Sequence, residues 1–174
     1  GINISQDPVR YYPYNELASS VLGYVGAIPS SQKAKYADKG YDLSSDLIGR
    51  SGIEAAFEDQ LKGTKGGDMV KVNAHGRPVE TLYSLQTAPG NSITLSIDKD
   101  IQSSAERMLK TQLEYIQKND GKGKNATRGA AVALDVKTGK VLAMASYPNF
   151  DPNVFAGGNV HSEKAEELMN PNLE

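Results

Sequence analysis

The chain has 174 residues, enough for one ordinary domain or one and a half small ones, and 39% of them are hydrophobic, so its core is modest. A net charge of -2 argues against nucleic acid or an anionic membrane surface as the main partner, and the absence of Cys excludes disulfides and thiolate metal sites. No run approaches the ~20 apolar residues of a membrane span, and no signal peptide is visible. Gly1 opens without a start residue and Leu173-Glu174 has the look of a cloning remnant, so the sequence reads as a piece of a longer chain.

Residues 1–10 have little periodicity, and a strand is expected to end near Arg10. Tyr11, Tyr12 and Tyr14 around Pro13 predict an extended segment, because residues before proline avoid the α region. Asn15 is the expected N-cap of a short helix carrying Leu17, Ala18, Val21 and Leu22, which Gly23 ends. Tyr24–Ile28 reads as a brief apolar strand or turn. A helical turn or two is expected around Lys33–Ala37.

The stretch Leu47-Ile48-Gly49-Arg50-Ser51-Gly52-Ile53-Glu54 joins this irregular third to an amphipathic helix. Gly49 and Gly52 permit positive φ or close backbone approach. Ser51 followed three residues later by Glu54 has the form of a capping box, in which serine and glutamate satisfy each other's backbone N–H. Ile53, Ala56, Phe57, Gln60 and Leu61 then share one face of a single helix, and Gly63 stands where a C′ glycine belongs. By itself this pattern describes a capped surface helix.

Gly63-Thr64-Lys65-Gly66-Gly67 lacks the order of a phosphate-binding loop and reads as a turn. Asp68–Asn73 and Val79–Leu85 predict a hairpin around Asn73–Arg77, with His75 an exposed loop residue. Ser92–Ile97 is expected to be a strand. Asp98 caps the strongest helix, whose stripe is Ile101, Ala105, Met108, Leu109, Leu113 and Ile116, ending near Lys118-Asn119. Gly129–Leu134 and Val141–Ser146 form an apolar hairpin that calls for cover on both faces, and the Met108/Leu109 stripe is expected to lie on it. A Pro-rich exit follows, then a helical turn or two at Ser162–Met169.

Six motifs in one order resemble the class B penicillin-binding proteins, the membrane-anchored transpeptidases that cross-link bacterial peptidoglycan. Arg10, Tyr12 and Pro13 match the family's Arg-x-Tyr-Pro, and Gly49, Gly52 and Glu54 its Gly-x-x-Gly-x-Glu. Leu95-Ser96-Ile97-Asp98 is similar to Leu-Thr-Ile-Asp, with Gln102 at its usual place in the helix after it. Asp135, Thr138 and Gly139 belong to Asp-x-x-Thr-Gly, and Leu142-Ala143-Met144 follows as in the family. Pro148-Asn149-Phe150-Asp151-Pro152-Asn153 completes the series. The family's upstream Arg-Gly-x-x-x-Asp-Arg-x-Gly element is absent.

Lys137-Thr138-Gly139 imitates a catalytic motif of serine transpeptidases. It falls inside the Asp-x-x-Thr-Gly turn, and no Ser in the chain is followed by Lys three places on. Covalent catalysis needs a nucleophile beside its activating base, and no such pair is recognisable. His75 and His161 lack ligand spacing, so no metal or cofactor is expected, and Glu163, Glu166 and Glu167 read as a solvated cluster.

The resemblance implies an α+β chain. Residues 1–89 form an N-terminally incomplete dimerisation or pedestal domain with short helices and hairpins. Residues 90–174 open a transpeptidase domain without its catalytic core. The implied role is to position the catalytic domain and dock membrane proteins of the cell-wall machinery, leaning towards the elongation type. Its place is the extracytoplasmic face of the cytoplasmic membrane, its further partners the rest of the transpeptidase domain and a possible second copy. The alternatives are an enzyme fragment that still binds β-lactam, against which the missing Ser-x-x-Lys speaks, and an unrelated peptidoglycan-binding module. The resemblance also implies that Arg10 and Glu54 meet and are partly buried.

Overall fold

The structure, a computed structural model, describes residues 10–64, 66–73, 75 and 77–156. The helix expected at Ser162–Met169, His161 and the Glu163, Glu166 and Glu167 cluster lie outside the described residues. So does most of the first ten-residue segment. The chain is a mixed helix and strand protein with three two-stranded antiparallel sheets among the described residues. It divides into two units, residues 1–56 with 95–174, and residues 57–94.

In the first unit the chain enters through turns rather than a long helix. Asn15 and Ala18 have φ of 50° and 57°, a left-handed conformation that non-glycine residues resist, and they stop helix formation until Ser19. Helix α1 is therefore only Ser19–Leu22, with Ala18 rather than Asn15 at its N-cap and Gly23 at its C-cap, as expected for the end. Strand β1 (Val25–Ala27) pairs with β2 (Leu47–Gly49), Val25 facing Gly49 and Ala27 facing Leu47. The sequence reading treats Leu47–Gly49 as part of a joint, because three residues are too few for a period to register. Helix α2 (Lys33–Asp38) lies between them. One core cluster gathers Ile28, Tyr36 and Ile48 with Tyr41 and Leu43, and another gathers Tyr12, Val25 and Ala156 with Leu47.

The single helix expected over Ile53–Leu61 is two. Helix α3 (Gly52–Ala56) ends before Phe57, whose φ of -116° and ψ of 24° break the run, and α4 (Glu58–Leu61) follows. Gly63 is not a left-handed cap. Lys62 leaves α4 extended, and Gly63 is needed because a Cβ there would strike the carbonyl of Ala88, beside the Thr64–Ala88 bridge. The second unit's hairpin joins β3 (Gly67–Val72) to β4 (Pro78–Leu85), with Asn73 Oδ1 accepting from the His75 and Arg77 N–H groups at its turn.

No strand forms at Ser92–Ile97. Back in the first unit, Ser96 Oγ donates to the Val141 carbonyl at 2.7 Å and the Asp98 N–H to that of Leu142 at 2.8 Å. Helix α5 (Lys99–Asn119) then starts under Asp98, whose Oδ1 accepts from the Asp100 and Ile101 N–H groups. Strands β5 (Gly129–Leu134) and β6 (Val141–Tyr147) form the expected hairpin, and α6 (Asn153–Ala156) closes the described chain.

The helix lies on the hairpin as expected, but only part of the stripe faces it. Met108 is 65% exposed, and Ile101 and Tyr115, seven residues either side, are exposed with it. Leu109 and Leu113 lie against Gly129 of β5, and the inward face also carries Gln102 and meets β6, whose Ala143 and Ala145 are fully buried. Strand β5 stays largely open, with Val132 58% and Leu134 57% exposed, so the hairpin is not covered on both faces among the described residues. A polar residue decides the rotation. Gln102 is fully buried, its Oε1 accepts the Met144 N–H at 2.7 Å, and its Nε2 donates to the Met144 carbonyl at 3.0 Å. One side-chain amide thus stands in for a neighbouring strand along the edge of β6. Gln102→Ala leaves both Met144 groups without these partners and is expected to lower stability by about 3 kcal/mol in urea unfolding. A loss near zero would mean that water replaces the amide.

Candidate functional site

The residues that the sequence reading singles out fall into two groups. Arg10, Tyr12, Gly49, Gly52 and Glu54 come together. Glu54 sits in the first turn of α3 and is buried. Arg10 Nε approaches Glu54 Oε1 at 3.0 Å and Nη2 donates to Oε2 at 3.0 Å, a bidentate pair. The Tyr12 hydroxyl donates to Oε1 at 3.0 Å. The Arg10 side chain is 37% exposed, so the pair is open to water on the arginine side only.

Two glycines let the backbone turn sharply enough for this. At Gly49 a Cβ would collide with the Glu54 carbonyl, and at Gly52 with the Val21 carbonyl, where φ is also +57°. The loop from β2 to α3 therefore closes on itself and turns Glu54 towards Tyr12. With its oxygens on Arg10 and Tyr12, Glu54 does not complete the reciprocal capping box with Ser51. A buried charge-assisted pair outweighs a helix-end bond that water can replace. Burial, followed by the adjacent Glu54 charge, pushes the Tyr12 hydroxyl well above the ordinary tyrosine range, so it stays a neutral donor.

Asn153 completes the group. Its Nδ2 donates to the Tyr12 carbonyl and its Oδ1 accepts the Tyr12 N–H, both at 2.9 Å, across 141 positions of sequence. The sequence reading names Asn153 only as the end of a motif. An isolated Asn beside Pro reads as a turn residue, and nothing local announces a partner so distant. Pro13 is exposed and simply follows Tyr12. Tyr24, Phe150 and Phe155 pack ring to ring beside this region, with Tyr24 and Phe155 centroids 4.3 Å apart.

Asp98, Asp135, Thr138 and Gly139 are elsewhere, and no described hydrogen bond ties them to Arg10 or Glu54. Asp98 is a helix cap. Asp135 shapes the β5–β6 turn: Oδ2 accepts from Thr138 Oγ1 at 2.6 Å, Oδ1 from the Lys137 N–H at 3.0 Å, and Gly139 supplies φ of +72°. Thr138 in the Lys137-Thr138-Gly139 triplet is thus engaged in a turn. The Thr138 and Lys137 bonds hold the Asp135 carboxyl below the ordinary aspartate range. Among the described residues no three His, Cys, Asp or Glu side chains converge as a metal site.

Known proteins share these elements. The family model of the Penicillin-binding Protein dimerisation domain matches residues 1–95, and that of the Penicillin binding protein transpeptidase domain matches residues 129–172. The peptidoglycan D,D-transpeptidase MrdA of Acinetobacter baumannii is 35% identical over 163 residues, covering 94% of this chain and 22% of the relative. A chain solved in a peptidoglycan synthase complex superimposes with a TM-score of 0.69 at 35% identity, covering 92% of this chain and 27% of that one. The penicillin-binding protein PBP2 of Helicobacter pylori, solved in complex with MreC, gives a TM-score of 0.66 at 29% identity, covering 95% and 27%. The chain spans about a quarter of the length of the curated relatives it matches.

Breaking the pair by Arg10→Ala should cost about 2 kcal/mol, between the values for exposed and fully buried ion pairs, since Glu54 stays buried with only Tyr12 to meet it. A double-mutant cycle with Glu54→Ala in denaturant unfolding reads the coupling, and additive effects would reject it. For Asp135, a depressed folded pKa contributes stability above about pH 4, lost as pH falls through the folded value. An NMR titration should find its midpoint below that of ordinary aspartate, and Thr138→Val should raise it. An unchanged midpoint in that variant would remove Thr138 as the cause.

Proposed function

The chain belongs to the class B penicillin-binding proteins, and from that premise we propose that it is the non-catalytic pedestal of a peptidoglycan transpeptidase joined to the opening elements of the catalytic domain. Residues 1–89 are the pedestal and residues 90–174 the start of the transpeptidase domain in this reading. Arg10, Tyr12, Pro13, Gly49, Gly52 and Glu54 shape the pedestal side. Asp98, Asp135, Thr138 and Gly139 shape the other. The full protein cross-links peptidoglycan at the extracytoplasmic face of the bacterial cytoplasmic membrane, and this part positions the catalytic domain and docks membrane proteins of the cell-wall machinery. Among the described residues no helix is long and apolar enough to cross a membrane.

The observation that carries the positioning role is the Asn153–Tyr12 clamp. It fastens the segment after Arg10 to the segment that leaves the β5–β6 hairpin, through two hydrogen bonds to one residue's backbone. A second copy is a further partner in this reading, because the outer edge of β5 has no strand beside it among the described residues. Sedimentation at rising concentration reports such self-association.

The non-catalytic reading is tested by incubating the chain with a fluorescent penicillin and measuring intact mass. No adduct is expected, and a covalent adduct on any serine would overturn it. The positioning reading is tested in the full-length protein. Asn153→Ala should leave penicillin acylation intact and lower cross-linking of glycan strands about tenfold. Unchanged cross-linking would reject the clamp as a positioning device.

A further inference from the structure

The left-handed turn at Asn15–Ala18 is held from outside. Ala18 is buried, and its N–H donates to Glu106 Oε1 of α5 at 2.9 Å across 88 positions. The same oxygen accepts from Gln102 Nε2 at 2.7 Å, and Oε2 accepts from Asn149 Nδ2 at 3.1 Å. Three donors from three segments therefore converge on one half-buried carboxylate. The neutral amide of the same size would bring two donors of its own.

The Met144 N–H and carbonyl set the sense of the Gln102 amide, and its nitrogen gives its second hydrogen to Glu106. Glu106 thus ties the strained turn to the amide that borders β6. We propose that Glu106 is a conformational latch, joining the Asn15–Ala18 turn to the α5–β6 layer through Gln102 and to the segment after β6 through Asn149. Two other ties reach the same region: the Phe150 N–H lies 3.4 Å from Ser19 Oγ, and Lys99 Nζ sits 5.2 Å from the centre of the Tyr14 ring. Both are long or exposed, so the carboxylate is the strongest of these outside ties to the turn. The latch stands on these contacts alone and holds whether or not the chain positions a transpeptidase.

Amide hydrogen exchange read residue by residue by NMR tests it on the 174-residue chain. Glu106→Ala removes both acceptor oxygens. Exchange at the Ala18 amide should accelerate about tenfold, while the Tyr12 amide, held by Asn153, keeps its rate. Met108→Ala, on the exposed side of the same helix, should change neither. An Ala18 rate within about twofold of the parent's in folded Glu106→Ala overturns the latch, as does equal acceleration at Tyr12. Should Glu106→Ala not fold, Asn149→Ala removes one of the three donors. A roughly threefold acceleration at Ala18 supports the latch there, and an unchanged rate overturns it.

Discussion

A buried carboxylate must be met by donors or it will not stay buried as a charge. Glu54 imposes that condition on the first third of this chain. Its position at the start of α3 is set by β2 and by two glycines that no other residue type can replace without moving a carbonyl. Its charge then requires Arg10 and the Tyr12 hydroxyl, both more than forty positions earlier. Tyr12 in turn belongs to an apolar cluster with Val25 and Ala156. Strand, loop, helix and entry segment are thus organised around one ionised side chain, and none of the three local elements exceeds five residues.

Elements so short cannot be stable alone, and two-stranded sheets leave backbone groups along their edges. The chain meets this with side-chain amides. Gln102 and Asn153 each present one oxygen and one nitrogen to the N–H and carbonyl of a single residue, Met144 and Tyr12 respectively. The geometry repeats the two-bond exchange of antiparallel strands without a second strand. An amide suits this use because it carries a donor and an acceptor on one rigid plane, which neither a carboxylate nor a hydroxyl does. Beside the apolar clusters, correctly paired polar groups thus fix how these short elements meet.

That division explains what could be read from the sequence. Helix α5 was legible to its cap, because twenty-one residues of period and an Asp at the right place make a strong signal. Both long hairpins were legible from strand formers flanking turn residues. The Arg10–Glu54 pair was reachable only through the resemblance, since spacing alone describes Glu54 as a cap. What failed shares one cause. The β2 strand, the late start of α1 and the absence of a strand at Ser92–Ile97 are all decided by partners far along the chain. An apolar stripe facing the hairpin would place Met108 in the interior, where the structure keeps Leu109 and Leu113 instead. The rotation of α5 is set by Gln102, which a hydrophobic pattern scores as an interruption.

Asp135 and Glu54 show how burial separates residues of one chemical kind. Asp135 accepts from Thr138 and Lys137, three positions away at most, and its bonds shape a turn that water also reaches. Removing such a partner changes a local equilibrium and the acid limb of the titration, and the rest of the fold need not respond. Glu54 accepts from residues 42 and 44 positions distant, in a site closed to water on one side. There the loss of a partner leaves a buried charge with one donor fewer and water on the arginine side alone to replace it. The first arrangement can be lost without changing the fold. The second makes the path of the chain conditional on one ion pair, which is why the glycines that shape it and the arginine that neutralises it form one structural unit although they stand far apart in sequence.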